Sequence, residues 1–141
     1  MIQDAPPPAP PQAHSLMLVG VGRFAVLADL ATVRREDPLV LIRSLQVAEE
    51  TFAVAGKVYV GGWSWWSFDC DEGLADRLDF ASVAADWSEG PATPERQPPY
   101  RASPGGDAAE LMAVACDGLQ TGPLFSTLVA AVTHARAKMA E

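Results

Sequence analysis

The most regular hydrophobic pattern in the chain lies between residues 38 and 55 and has the period of an amphipathic α-helix. Its apolar positions fall on one side of a helical projection: Leu41, Ile42, Leu45, Ala48 and Phe52. Asp37 is a suitable N-cap, Pro38 fits the first helical position, and Gly56 offers a C-terminal stop. The pattern therefore predicts a helix over residues 38–55 that packs on a sheet.

Two other stretches have the composition of β-strands. Residues 15–21 form a short apolar run, which is typical of a buried strand, and residues 57–68 are rich in β-branched and aromatic side chains. Residues 23–35 between them fit two structures. Their apolar spacing suits a helix, but Gly22-Arg23 also suits the turn of a hairpin, and the hairpin is favoured because glycine tolerates positive φ at a turn.

A glycine pair interrupts the strand of residues 57–68. A β-bulge at Gly61-Gly62 would insert one extra residue and change which side chains share a face. It would place Trp63 and Trp65 on the face of Val58 and Val60, with Trp66 and Phe68 on the opposite face.

The C-terminal half is expected to be mostly helical. Residues 74–87 have a moderate helical pattern, and residues 107–119 begin with Asp107 as a cap. Residues 121–141 have an apolar stripe and C-terminal cations, so this segment and the one before it predict two antiparallel helices. Residues 88–106 are rich in proline and glycine and predict a long surface loop, a length often linked to function.

The first fourteen residues contain five prolines and predict an extended polyproline tail. Residues 15–141 then form one domain, since 141 residues suffice for a single core. The predicted fold class is α+β: a small, mostly antiparallel sheet covered by three to four helices, with the proline-rich tail at the N-terminus.

Composition limits the choice of partners. Hydrophobic residues make up 49% of the chain and charged residues 20%, which indicates a globular protein. The formal net charge is −8, so nucleic acid is an unfavourable partner. No apolar run reaches the ~20 residues that span a bilayer, and no secretory signal pattern is present at the N-terminus. The expected setting is the cytoplasm, without membrane contact.

No motif in the sequence predicts catalysis, a metal or a cofactor. Gly20, Gly22 and Ala25 match a dinucleotide-binding pattern, but the second strand and ribose-binding acid that this fold requires do not follow. Residues 69–73 gather three carboxylates but do not fit a calcium loop. Cys70 and Cys116 are too few for a disulfide scaffold and are expected to be reduced, with Cys116 in the core.

The tryptophans are the strongest functional signal. Three of the four lie at Trp63, Trp65 and Trp66, on a strand whose two faces they divide. They form either a core cluster, if both faces of the strand are buried, or a binding surface, if one face is open and at least one indole is exposed. The sequence thus predicts a noncatalytic, acidic protein-binding module, either an inhibitor or immunity-type protein with a basic partner or a subunit of a larger phage or secretion assembly. Its predicted binding residues are Trp63, Trp65, Trp66, Phe68, Asp69, Asp71, Glu72 and Asp76.

An alternative hypothesis is a small-molecule site or an enzyme, with indoles lining a pocket beneath the loop of residues 88–106.

Overall fold

The structure, a computed structural model, describes residues 13–141, so the predicted polyproline tail lies outside the described residues except for its last two positions. The strands of the described chain are β1 (Leu16–Val21), β2 (Phe24–Glu36), β3 (Leu39–Val54), β4 (Lys57–Asp69), β5 (Leu74–Arg77), β6 (Asp79–Ala84), β7 (Thr93–Pro94) and β8 (Tyr100–Arg101). Its helices are α1 (Asp107–Asp117) and α2 (Leu128–Met139).

The strands form one antiparallel sheet around the long β3–β4 hairpin. β1 to β4 pair in chain order, and β4 then pairs with two later strands in succession. Its first half pairs with β6, where Trp63 is opposite Ala81, and its second half pairs with β5, where Trp66 is opposite Arg77. β8 extends the β5 edge and β7 extends the β6 edge.

The two helices cover opposite faces of this sheet. Successive residues of a strand point to opposite faces, and the neighbours Leu16 and Met17 belong to different core clusters. Leu16 packs in the cluster that contains Ala131 of α2, whereas Met17 packs in the cluster that contains Leu111 of α1. We call these sides the α2 face and the α1 face.

The helix predicted over residues 38–55 is wrong, because this segment is strand β3. Residues 40–48 are buried almost continuously, with side chains in both core clusters. A strand buried on both faces is apolar at successive positions rather than alternating, and such a run also satisfies a helical projection. Asp37-Pro38 lies in the β2–β3 turn instead of capping a helix.

The predicted fold class is also wrong in its helical layer. Residues 74–87 form β5 and β6 rather than a helix, and the described chain contains two helices instead of three or four. α1 is capped by Gly106 and not by Asp107, while α2 begins after Thr127, whose hydroxyl accepts from the amide of Ala130. The helices do not contact each other as an antiparallel pair, since each packs on its own face of the sheet.

Other predictions are confirmed. β1 and β4 occupy the predicted segments, and residues 24–36 form the return strand of the hairpin. The register of β4 against β6 shifts between Tyr59 and Gly61, and Val60 and Trp63 share the α2 face as the predicted bulge requires. The segment 88–106 contains only the two-residue strands β7 and β8.

The two cysteines are not free thiols. Cys70, just after β4, forms a disulfide with Cys116 in the last turn of α1, with a Cα–Cα separation of 5.8 Å. The bond joins positions 46 residues apart and ties α1 to the turn that follows β4. Sequence spacing alone could not reveal this pairing, because it depends on α1 lying over the end of β4.

Candidate functional site

The structure encloses the tryptophan cluster. Trp63, Trp65 and Trp66 are 2%, 4% and 8% exposed, and Phe68 is fully buried. The expectation that at least one indole is openly exposed is therefore wrong. Trp63 packs in the α2-face core, whereas Trp66 and Phe68 pack in the α1-face core.

Trp63 is surrounded by charged and aromatic side chains of the α2 face. The Arg43 guanidinium lies 4.3 Å from the indole centroid and also pairs with Glu89 at 2.6 Å. The ring of His14 stacks on the same indole at 5.3 Å, and its Nδ1 is 2.8 Å from a carboxylate oxygen of the buried Asp29. These contacts enclose Trp63, which is 2% exposed.

Trp65 is held on the same face by Asp79. The buried carboxylate of Asp79 accepts the backbone N–H of Trp65 at 2.8 Å. Burial raises the pKa of Asp79, while the hydrogen bond from Trp65 and the charge of Arg43 act in the opposite direction. The hydrogen bond joins the first residue of β6 to the middle of β4.

The predicted acidic residues lie around the β4–β5 turn. Asp71 and Glu72 are exposed, while Asp69 and Asp76 are half-buried. Asp69 accepts the amide of Glu72 at 3.1 Å, and burial raises the pKa of Asp76. Two of the four acids thus face solvent freely, and Asp69 also shapes the turn.

An open cleft of about 320 Å³ lies on the α1 face. Its floor is formed by residues of the sheet, and its rim by the start of α1 and the end of the 88–106 loop. The side chains that give it chemical character are Trp66, Arg77, Tyr100 and Asp107, with Ser44 and Ser64 between them.

Two serines fix the aromatic and basic walls of the cleft. The indole Nε1–H of Trp66 donates to Ser44 Oγ at 2.9 Å, and Arg77 Nε donates to Ser64 Oγ at the same distance. Arg77 is also 3.9 Å from Glu95, which is at the limit of an ion pair. The side chain of Arg77 is 32% exposed, and Nε is its one nitrogen with a hydrogen-bond partner among the residues that the structure describes. Arg77 therefore keeps donor groups for a ligand.

The opposite charge in the cleft is Asp107, the first residue of α1. A Cβ at position 20 would lie 2.6 Å from Asp107 Oδ1, so Gly20 leaves the space that this carboxylate occupies. The N-cap Gly106 provides no side-chain hydrogen bond, and it lines the cleft too. The rim at α1 therefore combines a carboxylate with helix amides that no side chain caps.

Tyr100 lies within electrostatic reach of both charges. Partial burial raises the pKa of its hydroxyl, the charge of Arg77 lowers it, and the charges of Asp107 and Asp76 raise it. Tyr100, Arg77 and Asp107 line the same cleft.

The cleft lining includes one residue of the predicted binding set and one residue of the predicted loop. Trp66 belongs to the predicted set, and the predicted loop supplies Tyr100. Arg77 and Asp107 were not among the predicted binding residues: Arg77 lay within the helix predicted over residues 74–87, and Asp107 was interpreted as a helix cap. Loop length and the tryptophan pattern were the two sequence signals that pointed to this region.

Comparison with protein-family models, curated proteins and solved structures returns no match for this chain. Neither helix in the part of the chain that the structure describes is long and apolar enough to cross a membrane. Among residues 13–141, no group of three or more His, Cys, Asp or Glu side chains is placed to hold a metal ion.

Proposed function

We propose that this protein binds a small zwitterionic molecule in the α1-face cleft, without converting it. The observation that carries the proposal is the pair of opposite charges, Arg77 and Asp107, which line one cleft beside Trp66. Arg77 would bind the carboxylate of the ligand and Asp107 its ammonium group, since each is the complementary hydrogen-bonding partner.

The charges of the protein favour a zwitterionic ligand over a ligand with a single charge. A net anion would be opposed by the overall charge of −8 and by Asp107 at the cleft itself. A net cation would be attracted by the overall field but opposed locally by Arg77. A neutral molecule with both charges satisfies the two side chains together.

The aromatic walls of the cleft add contact area for a ligand, and Trp66 supplies a fluorescence signal that reports binding. Trp66 and Tyr100 both line the cleft, and aromatic surfaces with a few well-placed polar groups are typical of small-molecule sites. A planar ring on the ligand would gain from contact with them. Ligand binding should also change the fluorescence of Trp66.

The experiment compares three probes that differ only in their charged groups: phenylalanine, N-acetylphenylalanine and phenylalaninamide. Calorimetric titration should show that phenylalanine binds at least tenfold more tightly than either of the others, because a hydrogen bond to a charged group contributes about 1.5–3 kcal/mol. Equal binding of all three would contradict the role of the charge pair.

Two variants test which side chain binds which charged group of the ligand. Arg77→Gln should remove the preference for phenylalanine over its amide, and Asp107→Asn should remove the preference over the N-acetyl form. Arg96→Gln, in the exposed part of the loop, and Glu110→Gln, in the same helical turn as Asp107, are the matched controls. If these controls change selectivity as much as the cleft variants do, binding occurs elsewhere.

We propose as a second candidate the protein-binding function predicted from the sequence, now limited to the acidic β4–β5 turn. The observation that favours it is the outward position of Asp71 and Glu72 on a turn next to the Cys70–Cys116 bond. A basic partner protein suits these acids and the overall charge. A pull-down with the Asp71→Asn/Glu72→Gln variant should lose a partner that the native chain recovers, while Glu49→Gln/Glu50→Gln should retain it.

The cellular compartment of the protein is also a matter of proposal. The cytoplasmic location expected from the sequence stays a prediction. The Cys70–Cys116 bond supports an oxidising compartment instead, because stable disulfides are rare in the cytosol. Mass spectrometry of protein alkylated directly in its host cells would distinguish the two by counting free thiols.

A further inference from the structure

A second cavity of about 190 Å³ lies beside the cleft and has a different character. It is lined by Phe24, Phe52 and Phe80 around the backbone of Gly61 and Gly62. Within the described part of the chain, no ionisable side chain lines it. This apolar cavity therefore complements the polar cleft in chemistry.

The two cavities are adjacent on one face of the sheet. Gln46 on β3 lines both of them. On β2 the cavity residue Phe24 is two positions from the cleft residue Val26, and on β4 Gly62 is two positions from Ser64. Residues two apart share a face and lie about 7 Å from each other, so the cavities form one groove.

Glycine shapes the apolar end of the groove. A Cβ at position 62 would collide with the ring of Phe80, and one at position 61 with the backbone of Gln46. The ring of Phe80 therefore packs directly on the backbone of Gly62 and forms a wall of the apolar end, while Gly61 lets the backbone of β3 approach β4 closely. The guanidinium of Arg77 lies 5.5 Å from the same ring, at the junction of the two ends.

Two aromatic rings at the apolar end are poorly covered by the chain itself. Phe24 and Phe52 are each 42% exposed. Clustered exposed apolar side chains are typical of binding surfaces. A ligand that continues from the polar cleft would cover them.

We propose that the ligand is an amphipathic zwitterion, an amino-acid head group with a long apolar tail, bound along the whole groove. This inference rests on the proposed function, because the head group occupies the Arg77–Asp107 cleft. The tail extends past Gln46 and packs against Phe24, Phe52 and Phe80. About 13 Å separates Trp66 from Gly62 along β4 at the usual rise per residue, which a short amino-acid side chain does not span.

The test uses zwitterions of increasing chain length: alanine, norleucine and 2-aminodecanoate, titrated by calorimetry below the concentration at which the longest forms micelles. A fully buried methylene improves affinity about fourfold, so 2-aminodecanoate should bind at least tenfold more tightly than norleucine. Decanoate and decylamine carry a similar apolar chain with one charge and should bind more weakly than 2-aminodecanoate.

Phe52→Ser should remove most of the dependence on chain length and leave alanine binding unchanged. Val54→Ser is the matched control, because it removes an exposed apolar side chain from the same strand but lies outside the cavity.

Affinity that is independent of chain length would overturn the tail site while the head-group site stands. Equal binding of decanoate and 2-aminodecanoate would overturn the requirement for a zwitterionic head group, and with it the proposed function. Loss of self-association in Phe52→Ser, without any length dependence, would instead make the patch an interface between copies.

Discussion

The two faces of the sheet use the same residue types in different ways. On the α2 face, Arg43 lies over Trp63, pairs with Glu89 and has a side chain only 5% exposed. On the α1 face, Arg77 stands opposite Trp66 on the neighbouring strand, and its side chain is 32% exposed beside an open cleft.

The difference shows why composition alone is a weak guide to a site. An arginine beside a tryptophan can complete a core or line a binding cleft, and the deciding factor is whether other elements fill the remaining space. The segment after β6 brings Glu89 to Arg43 and closes the α2 face. The same segment reaches the α1 face through Tyr100 and Ser103 but only rims the cleft there.

The largest expected contrast comes from truncating one tryptophan on each face. Trp63→Ala should lower the free energy of unfolding by about 3–5 kcal/mol, because it leaves an enclosed cavity. Trp66→Ala should lower the free energy of unfolding by about 1–2 kcal/mol less than Trp63→Ala does, because the lost ring borders an open cleft that water can enter. Urea unfolding of both variants measures the difference. Equal losses would show that the two faces are equally closed.

Removing the disulfide should loosen the α1 face selectively. The Cys70→Ser/Cys116→Ser double variant should lose about 2–4 kcal/mol of stability, since the bond closes a long loop of the unfolded chain. Hydrogen exchange should increase in α1 and remain unchanged in α2, which the bond does not touch. Faster exchange in both helices alike would contradict the independence of the two layers.

Replacing each arginine by methionine isolates the charged groups. Arg43→Met should cost about 1–3 kcal/mol, less than the loss of a fully buried pair because Glu89 remains partly solvated. Arg77→Met should cost about 1 kcal/mol, mainly from Ser64 losing its hydrogen bond. Thermal melts should therefore rank Arg77→Met as the milder change, and the reverse order would make Arg77 the structural residue.

The smallest expected effect is the pH dependence due to Asp79. Burial raises its pKa in the folded protein, so the folded state holds this proton more tightly than the unfolded chain does. The contribution of Asp79 to stability therefore falls as pH rises from the unfolded pKa through the raised value. Between about pH 7 and pH 3, wild type should gain stability relative to Asp79→Asn.

Asp86→Asn provides a control of opposite sign. Hydrogen bonds from Ser88 lower the pKa of Asp86, so its stabilising contribution is present at neutral pH and is lost on acidification. Wild type should therefore lose stability relative to Asp86→Asn over the same range. Melting temperatures of both pairs check the signs, and parallel slopes would contradict the assignment.

The strand predictions succeeded where sequence patterns were local. β1, the β1–β2 hairpin and β4 have apolar runs bounded by glycine turns, and these signals depend on few residues. β3 failed because both of its faces are buried, which removes the alternation that marks a strand. β5 and β6 failed because they are two short strands around Leu78, and their combined apolar positions imitate one helix.

The cleft could be predicted only in outline. Its walls come from Ser44, Ser64, Arg77, Tyr100 and Asp107, which lie on five different elements. Only the strand order brings them together, and the strand order was not available while β3, β5 and β6 were assigned to helices. The alternative hypothesis of a tryptophan-lined pocket under the loop stays a prediction; it included Trp66 and the loop that supplies Tyr100 but not the charged residues of the cleft.

The most direct test follows the indole N–H signals of the four tryptophans in a two-dimensional ¹H–¹⁵N spectrum during titration with phenylalanine. Trp66→Phe and Trp63→Phe assign the two signals that matter. The signal of Trp66, which donates to Ser44 at the cleft, should shift and saturate at the affinity found by calorimetry, while that of Trp63 should stay in place. A saturable shift of Trp63 with a stationary Trp66 would contradict a ligand site on the α1 face.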